Sequence, residues 1–324
     1  MNNHLVVCDD GSTSCKLTTE IDGEIISIIS PNRAEIGKGI SFGKQPFVYK
    51  ISDDDDSQSA FLTFSEQKNA LPTSNKSYQF HPQSRASVHH ALNQAGIANG
   101  KIDLVVTLPI NQYFNADGSV NDGNIEKKKH THMGFIQSVN HKTYSIETVH
   151  VYPEGIPAIY MYLQKYELKS TEISMLLDIG GTTTDAVIFI GNAAELIRID
   201  SFSVGTFEIM ESIRSELTNT LSNVFTMHLD LILKHFEDPD FIKENLNVEV
   251  DINKHLSPVF ERLLIELHEF NKGEINNTNI YITGGGAKLL SHYLNKKGIK
   301  NTTLERHETA LSEAIYMLET SQYE

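Results

Sequence analysis

The sequence has little cysteine, no tryptophan and no long apolar run, and each shortage excludes something. Two cysteines, Cys8 and Cys15, are too few for a disulfide framework and lack the spacing of a paired zinc site. A reducing, cytoplasmic compartment is the expectation. The ~18 consecutive apolar residues of a membrane helix occur nowhere. Residues 1–7 meet Asp9 and Asp10 too soon for a signal peptide. Positive charge is also short, with 27 Lys and Arg against 42 Asp and Glu, a net charge of -15. That balance argues against tight, direct binding to nucleic-acid phosphates. It suits a chain that takes up magnesium or meets basic partners.

What is present is enough for two domains: 324 residues with 40% hydrophobic content. Residues 5–8 form a short apolar run into Asp9-Asp10-Gly11, a buried strand entering a tight turn. Residues 16–19 and 24–29 read as the next strands, joined at Asp22-Gly23. The acids Asp53 to Asp56 lack the downstream Gly and Glu of a calcium loop and read as a solvated surface loop. Residues 84–95 have helical spacing, 102–108 form a buried strand, and 126–132 read as an exposed basic helical turn.

After Pro157 the pattern restarts. A strand at 173–177 runs into Asp178-Ile179-Gly180-Gly181, and strands 186–190 and 196–199 flank Gly191-Asn192. Residues 209–236 read as one long helix with Ile209, Ile213, Leu217 and Leu221 on a stripe. A helix over 259–270 opens at Ser257-Pro258. A last strand, 280–283, feeds Gly284-Gly285-Gly286, and 308–318 is the final helix. A strand, an acidic glycine turn, hairpin strands, then helices and strands occur twice, which predicts duplicated domains.

The turns suggest their chemistry. Backbone N–H groups in a hairpin rich in glycine and hydroxyls can surround phosphate oxygens. Asp9 at the strand end can hold magnesium through its waters, and Lys16, across the hairpin, can neutralise a phosphate. Neither Walker spacing nor G-x-G-x-x-G after a strand is present. Two such turns facing one another would grip one phosphate chain, with Asp9 and Asp178 flanking one metal. The glycines 284–286 let a backbone pass close to a flat ligand. Among the remaining candidates, His89 and His90 point apart on a helix and read as packing. His130 and His132 read as a solvated turn, Lys127 to Lys129 as a solvated face, and Cys8 as a buried strand residue. Cys15 can lie near the phosphates, but nothing marks it as a nucleophile.

These motifs resemble the actin/Hsp70/sugar-kinase ATPases, and most closely the plasmid-segregation actins of the ParM (StbA) type. The opening Asp9-Asp10-Gly11-Ser12-Thr13-Ser14 to Lys16 is similar to the family's first phosphate loop. Val88-His89-His90-Ala91-Leu92, Thr107-Leu108-Pro109 with Tyr113, and Asn124-Ile125-Glu126-Lys127-Lys128 resemble stretches of that type. Pro153-Glu154 with Ile156-Pro157-Ala158 resembles the segment carrying the catalytic acid. Gly180, Gly181, Thr182, Thr183 and Asp185 resemble the second phosphate loop, Ser203 with Gly205 a loop near the ribose, and Gly284-Gly285-Gly286-Ala287 the adenosine loop. The resemblance thins over 53–69, over 228–254 and beyond Lys297.

It implies an α/β, actin-like ATPase fold of two ribonuclease-H-like domains with a nucleotide cleft between them. Domain I is expected over 1–157 plus 305–324, and domain II over 158–304. It implies that Glu154 orients or deprotonates the attacking water and that Asp178 positions that water and the metal shell. Asp9 would hold Mg²⁺, and Lys16 would neutralise the β- and γ-phosphates of ATP or GTP. Ser12, Thr13, Thr182 and Thr183 would donate to phosphate oxygens, and Asp185 would brace its own loop. It also implies head-to-tail filaments and a DNA-binding adaptor on a plasmid centromere-like site. A non-polymerising small-molecule kinase and a chaperone-like ATPase remain alternatives, without the extra length or the substrate-binding domain such proteins carry. A membrane-tethered relative lacks its amphipathic terminal helix.

Overall fold

The computed structural model describes residues 3–39, 45–52, 59–65, 71, 73, 77–98, 100–165, 171–191, 195–219, 221, 223–224 and 226–321; Asp53 to Asp56 lie outside them. Strands β1 (His4–Asp10), β2 (Ser14–Ile21) and β3 (Glu24–Pro31) form an antiparallel meander. Asp22 and Gly23 both have positive φ, 54° and 83°, the backbone that a two-residue hairpin needs. Strands β4 (Ala34–Ile36), β5 (Phe47–Ile51) and β6 (Ala60–Phe64) belong to a smaller sheet. Helix α1 (Pro82–Ala95) starts under a His81 cap with proline first and stops at Gly96, φ 72°. Strand β7 (Lys101–Leu108) then joins β1 in parallel.

Helices α2 (Ile110–Tyr113) and α3 (Asp122–Met133) follow, then β8 (Ile136–Ser138), which completes the small sheet in the order β4-β6-β5-β8. Strand β9 (Ser145–Pro153) closes the first large sheet, order β3-β2-β1-β7-β9, and leads into α4 (Ile156–Leu163).

The second half repeats the plan. Strands β10 (Ile173–Ile179), β11 (Thr184–Ile190) and β12 (Glu195–Phe202) form another antiparallel meander. Helices α5 (Thr206–Leu217), α6 (Thr226–Lys234), α7 (Pro239–Leu246) and α8 (Ile252–Phe270) precede β13 (Asn279–Thr283), which joins β10 in parallel. Helix α9 (Ala287–Lys296), strand β14 (Thr302–Thr303) and helix α10 (Ala310–Ser321) complete it, with sheet order β12-β11-β10-β13-β14. The two orders are the same pattern, so the duplicated architecture is realised.

A core of its own backs each large sheet, with Val6, Cys8, Leu17 and Leu92 in one and Leu177, Ile209, Phe260 and Leu290 in the other. Both cysteines are buried. A third core joins the halves: Val7 and Val105 from the first sheet, Leu176 and Val187 from the second, with Ile159 of α4 and Leu311 and Ile315 of α10. Among the described residues no helix is long and apolar enough to cross a membrane.

Four sequence expectations need correction. Residues 209–236 form two helices, because Thr218 and Asn219 are weak helix formers and Arg214 Nη1 donates to the Val224 carbonyl at 2.7 Å, folding the chain back. Helix α8 starts at Ile252 under an Asp251 cap, and Pro258 lies inside it. Proline is tolerated there because it faces solvent, as does Lys254, whose carbonyl loses its partner. Strand β14, paired with β13, follows the one expected to be last. Helix α3 is not a solvated turn, since Lys128, Thr131 and His132 are buried.

Candidate functional site

The two meanders present their first turns to each other. Ser12 Oγ lies 3.5 Å from Thr182 Oγ1, and a Cβ on Gly181 would collide with Thr13. Between them opens a cleft of about 380 Å³. It is lined by Asp9, Gly11, Ser12, Thr13 and Lys16 from one half, with Glu154, and by Asp178, Gly180, Gly181, Thr182, Thr183, Ser203, Gly205, Gly284 and Gly285 from the other.

Glycine is required at two of these positions. Gly284 has φ 89°, and a Cβ there would strike the Asp178 carboxylate. A Cβ on Gly205 would run into the Gly181 carbonyl. That close approach lets the N–H groups of Thr206 and Phe207, at the start of α5, donate to the carbonyls of Gly180 and Gly181 at 3.1 and 2.7 Å.

Charge concentrates at the floor. Lys16 Nζ donates to Asp9 Oδ2 at 2.9 Å, and Thr107 Oγ1 donates to Asp9 Oδ1 at 3.1 Å. Burial opposes the Lys16 ammonium, but Asp9, then Asp178 and Glu154, outweigh it and hold it above the ordinary lysine value. Glu154 follows β9, its N–H donating to the Leu108 carbonyl at 2.9 Å. Burial, then Asp185, Asp9 and Asp178, push its carboxyl well above the usual range. Asp178 is pushed up to about 7 by burial and by Asp9 and Asp185. Several carboxylates thus share one cleft with one lysine lining it, an excess of hard oxygen donors that suits Mg²⁺. Among the described residues no three His, Cys, Asp or Glu side chains could hold an ion by themselves.

Not every expected residue reaches the cleft. Asp10 is fully buried behind the first turn, accepting from Lys128 Nζ at 2.6 Å, with His132 Nε2 3.2 Å away. Burial would raise its carboxyl, but Lys128 and His132 outweigh this and hold it below the usual range. Ser14 begins β2 outside the lining. Asp185 Oδ2 accepts from the Ile110 N–H at 2.9 Å and is buried, with its carboxyl raised to about 6, chiefly by burial. Gly286 packs behind against Ile179 and Thr206, and Ala287 is buried. Cys15 sits in the first core, away from the lining. His90 stacks on Phe64 at 4.3 Å, in keeping with a packing role.

The lining also holds Tyr78, Gln79, Asn111, Gln112, Phe207 and Glu208, none proposed from sequence. Of these, Asn111 and Gln112 lie within the stretch from Thr107 to Tyr113 that carried the resemblance, which was a usable signal. Tyr78 and Gln79 had none.

Two family models divide the chain between them: "Plasmid segregation protein ParM, N-terminal" over residues 4–165 and "Plasmid segregation protein ParM, C-terminal" over 168–318. Comparison with curated protein sequences returns no match. Among solved structures, a non-polymerisable quadruple mutant of pCBH ParM aligns with a TM-score of 0.71 at 16% identity, covering 99% of this chain and 100% of that one. The archaeal actin homologue Ta0583 in complex with ADP aligns at 0.69 and 15%, covering 99% and 100%. A subunit of the 15-stranded ParM filament from Clostridium botulinum aligns at 0.64 and 16%, again over 99% and 100%. At these identities the structural likenesses speak for the actin-like fold, and the family models speak for more: the chain belongs to the plasmid segregation protein ParM family.

Proposed function

We propose that the protein is a nucleotide-dependent, polymerising ATPase of the cytoplasm that moves plasmid DNA by assembling and disassembling filaments. One observation carries the nucleotide reading. Two glycine- and hydroxyl-bearing turns, from two halves of like topology, close on one cleft floored by Asp9, Lys16, Glu154 and Asp178. Phosphoryl transfer needs positioning and charge neutralisation more than covalent chemistry, and this cleft offers both. Ser12, Thr13, Thr182 and Thr183 donate to phosphate oxygens, and Lys16 neutralises charge on them. Glu154, made more basic by burial and by the neighbouring carboxylates, orients or deprotonates the attacking water, and Asp178 helps hold that water. Asp9 and Asp178 would hold Mg²⁺ through its hydration waters, and the ion would supply charge neutralisation to the phosphates.

The domain boundaries proposed are 1–157 plus 305–324 and 158–304. The filament reading is supported by family membership and by a related ParM filament of like fold. The proposed partner is a DNA-binding adaptor on a centromere-like site, because a net charge of -15 disfavours direct DNA contact.

The test is high-speed sedimentation with magnesium and ATP, GTP, a non-hydrolysable analogue or no nucleotide, alongside phosphate release. Nucleotide should drive the protein into the pellet, and hydrolysis should return it to solution. A protein that releases phosphate but never pellets over a wide concentration range would end the filament reading while leaving the hydrolytic one. Glu154→Ala should bind nucleotide as the wild type does and turn it over ~10²–10⁴-fold more slowly, measured by calorimetric titration beside phosphate release. Equal loss of binding and turnover would remove Glu154 from the catalytic role.

A further inference from the structure

The two turns that face the cleft are held from behind in different ways. In the second, the carbonyls of Gly180 and Gly181 are taken by backbone N–H groups at the start of α5. Among the described residues no helix start does this for the first. There one residue, Asn32, just past β3, does the equivalent work. Its N–H donates to the Thr13 carbonyl at 2.9 Å. Its Nδ2 donates to the Gly11 carbonyl at 2.6 Å and to the Ser12 carbonyl at 3.3 Å. A single residue that is 5% exposed therefore engages the Gly11 and Thr13 carbonyls and, through a longer shared contact, that of Ser12, because the two Nδ2 hydrogens also serve Tyr78.

Asn32 is itself aimed by Tyr78. The tyrosine hydroxyl accepts from Asn32 Nδ2 at 2.8 Å and lies 3.3 Å from Ser87 Oγ of α1. Asn32 Oδ1 is buried with no hydrogen-bond partner among the described residues. A buried, unpaired oxygen is unfavourable, and a side chain serving only to fill space has no need of it.

We propose that Asn32 is the positioning residue that makes the first turn a phosphate cradle. With its carbonyl oxygens engaged from behind, the turn has only its N–H groups and the hydroxyls of Ser12 and Thr13 to offer an anion. Released, those carbonyls are free to turn their negative ends toward phosphate oxygens. The inference rests on the nucleotide reading of the cleft given above.

The test compares wild type, Asn32→Ala and Asn32→Asp for ATP affinity by calorimetric titration with magnesium, and for steady-state phosphate release. Circular dichroism of each nucleotide-free protein checks that it is folded. Asn32→Ala should raise the Kd for ATP at least tenfold, with kcat at saturating ATP changed less than threefold, since the interaction is shared by ground and transition states. Asn32→Asp has the same shape but offers no donor and adds a negative charge, so it should bind more weakly still. Packing alone predicts the opposite order, with the alanine variant the weaker. Should the aspartate variant fail to fold, the alanine variant decides. A wild type that binds ATP beside an alanine variant that binds equally well overturns this inference alone. A wild type that binds neither ATP nor GTP removes the nucleotide reading, and this inference with it.

Discussion

Asp178 shows how far a carboxyl can be moved by its setting, and it supplies a stability prediction. In the folded, nucleotide-free protein it keeps its proton up to about pH 7, whereas an ordinary aspartate loses its proton near 3.8. Between those values the folded state binds more protons than the unfolded one, so stability falls as pH rises through that window. Glu154, also raised, acts in the same direction. Asp178→Asn should flatten the decline, and urea midpoints at pH 5 and pH 8 will show it; parallel declines in wild type and variant would mean that Asp178 does not titrate there. At this scale the site was legible wherever its residues are neighbours in the chain. Asp9 to Lys16 and Asp178 to Thr183 each carry acid, glycine and hydroxyl within a few positions. Tyr78 and Gln79 come to the cleft from elsewhere and Asn32 lies behind its first turn; none carries such a signature, so only the folded structure reveals them.

Among the elements, α3 departs most from its sequence. Three lysines in a row within an acidic chain read as a solvated face, yet the central one, Lys128, is fully buried against Asp10 and also donates to Gln79. Helical spacing separates the three: Lys128 turns inward while Lys129 pairs with Glu126 at the surface. A run of like residues carries no amphipathic signal that could betray this. Because both partners are desolvated, removing Lys128 leaves the Asp10 charge in the interior without its ion-pair partner, with His132 the neighbour that remains beside it. Lys128→Met should therefore lose ~3–5 kcal/mol of stability, read from urea unfolding, and Asp10→Asn in the same chain should restore much of it. No recovery in the double variant would mean that packing around Lys128 matters more than its charge. The helix ends were misjudged for a related reason. Leu221 keeps the apolar stripe of α5 going past the point where the backbone has already left the helix.

Across the whole molecule the repeated order of strands was the most legible feature, because each half announces itself with a strand, an acidic glycine turn and a hairpin. The way the halves are joined was not. The core shared by both sheets is built from α4 and α10, which lie about 150 residues apart in sequence. Ile315, fully buried there, offers a test: Ile315→Ala should cost ~2–5 kcal/mol and should lower both halves in one transition, seen as coincident unfolding curves from two probes. Separate transitions would show that the shared core does not couple them. The contact of α10 with β1 and β2 includes a hydrogen bond between Thr18 and Ser312 at 2.8 Å. During synthesis the ribosome makes α10 long after β1 and β2, since 294 residues separate Thr18 from Ser312. That face of the first sheet, Val7 and Val105 included, therefore gains part of its cover only once a segment far downstream has been made, and α4, much nearer in the chain, is the cover on hand before it.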